Sequence, residues 1–214
     1  QNIGAYGVEM EDFFDHLVAV DLESGEERRF DRRDCGFGYR NSRFKTEPRD
    51  RFLITAVTFT LLKTPRPFTG YRDLDRELAD IPEAGRSPAA VAEAVARIRA
   101  RKLPDPKILG NAGSFFKNPV VGSKTVEELL ERFPEMPRYA LPGGRVKVAA
   151  GWLIDRCGWK GRRHGRCGVH DRQALVLVNH GGATGVEIVA LAQEIQESVY
   201  SRFGIRLEPE PRIV

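Results

Sequence analysis

An α+β fold is the class this sequence predicts, and three observations predict it. Up to Leu62 the chain carries short β-rich runs joined by turn signals. Beyond Ser87 it carries helical patterns with recognisable start and stop residues. Strands and helices do not alternate in the regular order that builds βαβ units.

The elements follow in order. Leu17 to Leu22, the turn Glu23-Ser24-Gly25-Glu26 and Arg28 to Phe30 read as a hairpin, because two β-rich runs flank a glycine-containing turn. Arg51 to Leu62 reads as a further strand, with Val57, Phe59 and Leu61 alternating against Thr58 and Thr60. Pro65 and Pro67 break that pattern and begin a loop, 64–80, that carries Tyr71. Ser87 and Pro88 are an N-cap and a first helical position, and Val91, Val95 and Ile98 form the buried stripe of the helix they open. Leu103-Pro104-Asp105-Pro106 ends it and is the candidate domain boundary.

Past that boundary, Gly110 to Asn118 reads as a Gly-Asn loop leading to a helix in which Thr125 and Glu128 have capping-box spacing. Val148 to Cys157 reads as a helix closed by Gly158, and Ala174 to Asn179 as an apolar strand. Thr184 and Glu187 open a long amphipathic helix carrying Ile188, Leu191, Ile195 and Val199, which Gly204 stops. Ile205 to Val214 is extended and interrupted by Pro209 and Pro211. No internal repeat or low-complexity tract is visible.

Composition narrows the function classes. With 214 residues and 41% apolar content the chain builds a core without disulfides or metal. Its three cysteines, Cys35, Cys157 and Cys167, are an odd number in a chain too large to need stapling, so reduced thiols are expected. No apolar run reaches the roughly 18 residues of a membrane span, and Gln1 opens no signal peptide, so a cytoplasmic, membrane-free monomer is the expectation. The net charge of +4 is mixed with acids, as in Glu23 to Arg33. A nucleic-acid binder shows a denser basic face, so no nucleic-acid partner is expected, and a small anionic ligand fits as well as a solvated mixed surface.

Several clusters admit a functional and a structural reading. Gly110 to Pro119 can hold Ser114 rigidly at a ligand, or be a turn that sends Phe115 and Phe116 into the core. Ser114 lacks the following glycine of a hydrolase elbow. Arg40, after Cys35-Gly36-Phe37-Gly38-Tyr39, is either a fork for a carboxylate or a solvated cation. Glu208-Pro209-Glu210-Pro211-Arg212 reads as a charged, proline-stiffened terminus. His164, Cys167 and His170 are close in sequence but lack the second pair of a structural zinc site, so no metal is expected; His16 and His180 read as surface residues.

These fragments occur together, and in order, in one family. Gln1 to Glu9, Phe37-Gly38-Tyr39-Arg40, Lys102 to Lys107, Gly110 to Pro119, Ala149 to Asp155 and Leu207-Glu208-Pro209-Glu210 make the chain resemble the UDP-N-acetylenolpyruvoylglucosamine reductases over its whole length. The resemblance implies the latter half of a PCMH-type FAD-binding domain over 1–103, an α+β substrate-binding domain over 104–204, and a returning segment over 205–214. The expected activity is NADPH-dependent, FAD-mediated reduction of enolpyruvyl-UDP-N-acetylglucosamine to UDP-N-acetylmuramic acid, a step in peptidoglycan precursor synthesis. It implies Ser114 as proton donor, with Arg40 and Glu210 stabilising the enol carboxylate. Tyr71, on a loop closing over the substrate, joins Lys102, Asn118, Tyr139 and Gln173 in contacting the UDP-sugar. Ile3, Gly4, Arg99 and Arg212 lie along the flavin. The family's Gly-rich loop for the FAD pyrophosphate is not found in this sequence, which makes a flavin-free nucleotide-sugar-binding fragment the competing expectation.

Overall fold

The computed structural model describes residues 1–46 and 50–213, and its α-carbon contacts divide it into two units, Gln1–Ile98 and Arg99–Val214. Helix and strand are mixed in both, as an α+β fold requires.

In the first unit a small ribbon pairs β1 (Gly4–Ala5) with β2 (Val8–Glu9). Its turn is tight: Tyr6 and Gly7 both have positive φ, and a Cβ on Gly7 would lie 2.1 Å from the Phe68 ring. A three-stranded antiparallel sheet follows, in the order β4 (Glu27–Asp31), β3 (Phe14–Asp21), β5 (Phe52–Phe59). The expected hairpin is β3 and β4, in register from His16 opposite Asp31 to Val20 opposite Glu27.

One face of this sheet buries Phe14, Leu17, Ala19 and Phe30 with Cys35, which closes the short helix α1 (Arg32–Cys35). Phe44, in the single-turn helix α2 (Arg43–Thr46), packs on the same cluster, its ring edge-on to Phe30 at 5.3 Å. Burial, then the neighbouring carboxylates of Asp34 and Asp31, push the Cys35 thiol up to about 11. On β5 the side chains of Leu53, Ile54, Val57 and Phe59 stay exposed, and among the described residues β5 pairs only with β3. His16 differs from expectation: it is half-buried, with its ring against the Asp15 carboxylate and Thr58 Oγ1.

Two helices complete this part of the chain. Tyr71 is the N-terminal flanking residue of α3 (Arg72–Glu77). Helix α4 (Pro88–Lys102) begins as predicted, the Ser87 hydroxyl accepting from the Ala90 N–H at 3.2 Å. It buries Ala94 and Ile98 against Leu74 and Leu78, with Val91 and Val95 at the margin.

The second unit has two antiparallel sheets. One runs in the order β10 (Arg163–His164), β11 (Cys167–Val169), β12 (Val176–Asn179), β6 (Gly110–Ser114). The other runs β7 (Val120–Gly122), β9 (Arg145–Val148), β8 (Arg138–Leu141). Their core includes Phe115, Phe116, Val148, Leu153, Ile154, Trp159, Cys167, Val169, Leu177, Leu191, Ile195 and Val199. Leu191, Ile195 and Val199 come from α7 (Gly185–Phe203), which has the predicted ends. Thr184 and Glu187 form a reciprocal capping box, and Gly204 takes the left-handed conformation at the other end.

Three local expectations change. Gly110 to Ser114 is a strand and not a turn, because β12 supplies a pairing edge: Ser114 lies opposite Val176 and Gly110 opposite Asn179. Helix α5 (Ser123–Arg132) starts two residues before Thr125, with Gly122 as its N-cap, so Thr125 and Glu128 form no capping box. Val148 is the last residue of β9, and the helix after it is the shorter α6 (Ala150–Arg156), with Gly158 at positive φ beyond its end. Among the described residues no helix is long and apolar enough to cross a membrane.

Candidate active site

The sequence gives Ser114 and Glu210 little reason to meet, 96 positions apart; the second unit places them one residue apart across a strand-like pairing. Phe116 and Pro209 form an antiparallel bridge, flanked by Lys117 N–H to Glu208 carbonyl at 2.9 Å and Glu210 N–H to Phe115 carbonyl at 2.8 Å. Pro209 sits where the ladder asks for no donor, so its missing N–H removes nothing. Phe115 also donates its own N–H to the Leu175 carbonyl at 2.7 Å, so one residue fastens both the β12 side and the tail next to Ser114. Buried Phe115 and Phe116 rings, edge to face with centres 5.2 Å apart, anchor this segment, while Ser114 is exposed and Glu210 half-buried. The two aromatics are core, as one reading of the sequence expected, and Ser114 at the end of the strand is exposed.

Asn118 and Gln173 converge on the first turn of α6. Asn118 Oδ1 accepts from the Ala150 N–H at 2.9 Å. Gln173 Oε1 accepts from the Leu175 N–H at 3.4 Å, and a Cβ on Gly151 would stand 3.3 Å from that oxygen. Glycine at 151 thus leaves room for Gln173 beside α6. Tyr139 is half-exposed on β8, opposite Lys147 of β9, whose Nζ lies 5.7 Å from the ring centre. Arg99 and Lys102 are exposed in the last turn of α4, and Arg212 is exposed beyond the tail bridge.

In the first unit the structure brings Arg40 and Gly4 together. The Arg40 guanidinium donates to the carbonyls of Asn2 (3.4 Å) and Gly4, and lies 3.5 Å from a Glu9 carboxylate oxygen. Arg40 itself has φ of 52°, a left-handed conformation uncommon outside glycine. Gly4 cannot carry a side chain here without displacement: a Cβ would meet the Val8 carbonyl and Glu9 Cγ at 2.8 Å each. Asn2, fully buried, ties the arrangement down through bonds to Glu9, Glu11 and the Gly38 carbonyl. Beside this ribbon lies an apolar hollow of about 470 Å³ lined by Ile3, Gly4, Val8, Met10, Phe13 and Phe59, among others. Tyr71, at 40% exposure, sets its ring edge-on to Tyr6 at 5.2 Å.

Sequence reasoning passed over Asn2, Glu9 and Lys117, all of which hold a candidate residue or its segment in position. Their partners lie far along the chain, so no local pattern announces them. His164 and Cys167 sit on the β10–β11 hairpin, His170 follows it, and among the described residues no group of three His, Cys, Asp or Glu is arranged to hold a metal ion. Burial lowers the affinity of the His170 ring for a proton.

Taken together, the second unit is an α+β domain in which the tail that carries Glu210 pairs with the residues that follow Ser114. The chain belongs to the UDP-N-acetylenolpyruvoylglucosamine reductase family: the profile of that family's C-terminal domain matches residues 105–214. It is 58% identical over 214 residues to the reductase of Burkholderia ambifaria and over 213 residues to that of Paraburkholderia xenovorans. In each comparison 99% of the chain is covered, against 61% and 62% of the relatives, so it spans less than two thirds of their length. In fold it is similar to the reductase of Thermus caldophilus, with a TM-score of 0.59 at 24% identity, covering 99% of this chain and 56% of that one.

Proposed function

We propose that this chain works as part of an NADPH-dependent, FAD-containing reductase that converts enolpyruvyl-UDP-N-acetylglucosamine to UDP-N-acetylmuramic acid. The observation that carries the reading is the pairing of the Glu210 tail onto Phe115, next to Ser114, inside the matched family domain. FAD, reduced by NADPH, would supply the hydride that adds to the terminal vinyl carbon of the substrate. The apolar hollow beside Ile3 and Gly4 fits a flat ring system, and the absence of a Cβ on Gly4 keeps the ribbon close enough to line it. Arg99 and Arg212 are the further candidates along that cofactor.

The remaining chemistry belongs to the chain's own side chains. Hydride addition leaves an enolate, with charge on the substrate carboxylate. The Arg40 guanidinium, held by the Asn2 and Gly4 carbonyls, is a preorganised cation for that charge, and one such donor contributes about 3 kcal/mol. Glu210 shares the carboxylate end of the site in this reading. The Ser114 hydroxyl delivers a proton to the neighbouring carbon; an enolate is a strong base, so positioning counts for more than the acidity of serine. Tyr71 closes over the nucleotide sugar, which Lys102, Asn118, Tyr139 and Gln173 contact.

The test is turnover. Full-length protein loaded with FAD should oxidise NADPH beyond one equivalent per flavin only when enolpyruvyl-UDP-N-acetylglucosamine is present, and yield a product two hydrogens heavier. Flavin-loaded protein that leaves the enol ether unchanged overturns the proposal.

A further inference from the structure

The segment that carries Glu210 is fixed by more than backbone pairing. Lys117, three residues after Ser114, places its Nζ 2.9 Å from Glu208 Oε2, two residues before Glu210. The same two residues share the backbone bond from Lys117 N–H to the Glu208 carbonyl. The Lys117 side chain is 20% exposed, against 73% for Glu208. Gln196 of α7 adds a hold upstream, its amide donating to the Leu207 carbonyl at 2.7 Å. Beyond Glu208, the Glu210 N–H donates to the Phe115 carbonyl at 2.8 Å.

We propose that Lys117 is a positioning residue for Glu210: its ammonium clamps Glu208 and so fixes how far the tail slides along 115–117. Residues close to a chain terminus fray readily unless they are tied down. An exposed ion pair contributes little to overall stability, typically under about 1 kcal/mol, so the clamp is not a fold-holding device. Its effect is local. A catalytic group displaced by about 1 Å loses up to about 10²-fold in rate, so a pair too weak to alter folding is strong enough to alter turnover. The inference rests on the reading of Glu210 given above and deepens it.

Lys117→Met keeps the aliphatic stem and removes the charge. In the full-length, flavin-loaded enzyme we expect kcat for substrate reduction to fall about tenfold, with KM and NADPH-driven flavin reduction nearly unchanged. Lys117→Arg should restore most of the rate, and the exchanged pair K117E with E208K part of it. Arg156→Met, which breaks the ion pair to Glu135 at 2.6 Å, is the control and should leave turnover unchanged. Hydrogen exchange gives a readout independent of activity: the Glu210 amide should exchange up to about fivefold faster in Lys117→Met, while amides of α7 keep their protection. Unchanged exchange at Glu210, or a rate loss that Lys117→Arg does not relieve, overturns the proposal. If the unaltered enzyme fails to turn over, the functional reading falls, and the exchange experiment alone decides whether Lys117 fixes the tail.

Discussion

Asn118 Oδ1 stands 2.9 Å from the main-chain nitrogen of Ala150, and so satisfies an N–H that α6 leaves open at its start. Ala149, the N-cap of that helix, has no side chain with which to do so. In the proposed role it is the side-chain amide nitrogen of Asn118 that contacts the nucleotide sugar. Asn118→Ala should therefore lower stability by about 1 kcal/mol as well as weaken UDP-sugar binding. Asn118→Asp keeps the acceptor and should keep the stability while still losing affinity. Thermal denaturation beside calorimetric titration with UDP-N-acetylglucosamine separates the two; equal destabilisation by both variants would mean the cap is unimportant.

Ser114→Ala removes one exposed hydroxyl at the end of β6 and touches none of the backbone bonds of that strand. In the full-length enzyme, flavin reduction by NADPH should proceed nearly normally while reoxidation by substrate slows, because a proton donor acts only in the second half. Stopped-flow absorbance resolves both phases. Equal slowing of the two phases removes serine from the role of donor.

Tyr71 stands at the entry to α3 with its ring against Tyr6 and 40% of its surface exposed. A ring in that setting contributes contact and water exclusion, so Tyr71→Ala should raise KM by about tenfold with a smaller change in kcat. A collapse of turnover at saturating substrate, with KM unmoved, contradicts a closing role.

The capping box of α7 makes stability pH-dependent in a defined direction. The Thr184 N–H, then the Arg166 guanidinium, hold the Glu187 carboxyl down at about 2, from an ordinary value of 4.5. A depressed folded value means that stabilisation is complete above about 4.5 and is lost as pH falls towards 2. Near neutral pH Glu187→Gln should melt below the unaltered protein, and the gap should close through that window. Melting curves across the acid range check this; a gap independent of pH would show that charge is not the source.

Equilibrium dialysis of the chain by itself tests the binding assignments. The second unit has a core of its own, reaching from Phe115 to Leu207, so it should hold UDP-N-acetylglucosamine, if weakly. The hollow of the first unit is apolar apart from Glu9 and offers a place for a ring but little for a pyrophosphate, so FAD should be retained poorly. Stoichiometric, tight FAD retention contradicts this.

What the sequence revealed depended on how far apart the interacting residues lie. Thr184, Glu187 and Gly204 declare the ends of α7 because each acts within a turn of itself. Gly110 to Ser114 carries the same kind of local signal, glycines and asparagine, and it points the wrong way; only β12, more than sixty residues on, makes it a strand. Thr125 and Glu128 show the opposite failure, a correct spacing in a helix already under way. Site residues were named from ordered motifs, but the Glu210–Phe115 bond and the Arg40–Gly4 contact are long-range facts that no motif contains.

Strand β5, which among the described residues pairs on one side alone, bears on how this chain is made. From Phe52 to Leu62 no residue is charged and none is proline or glycine, and Leu53, Ile54, Val57, Phe59, Leu61 and Leu62 are all exposed. Arg51 and Lys63 flank the strip like gatekeepers, and nothing within it repels a second copy arriving edge to edge. During synthesis at high concentration this strip will compete with folding by recruiting like strands into insoluble material. A single lysine at Ile54 would interrupt it, so yield in the soluble fraction becomes a property adjustable at one position.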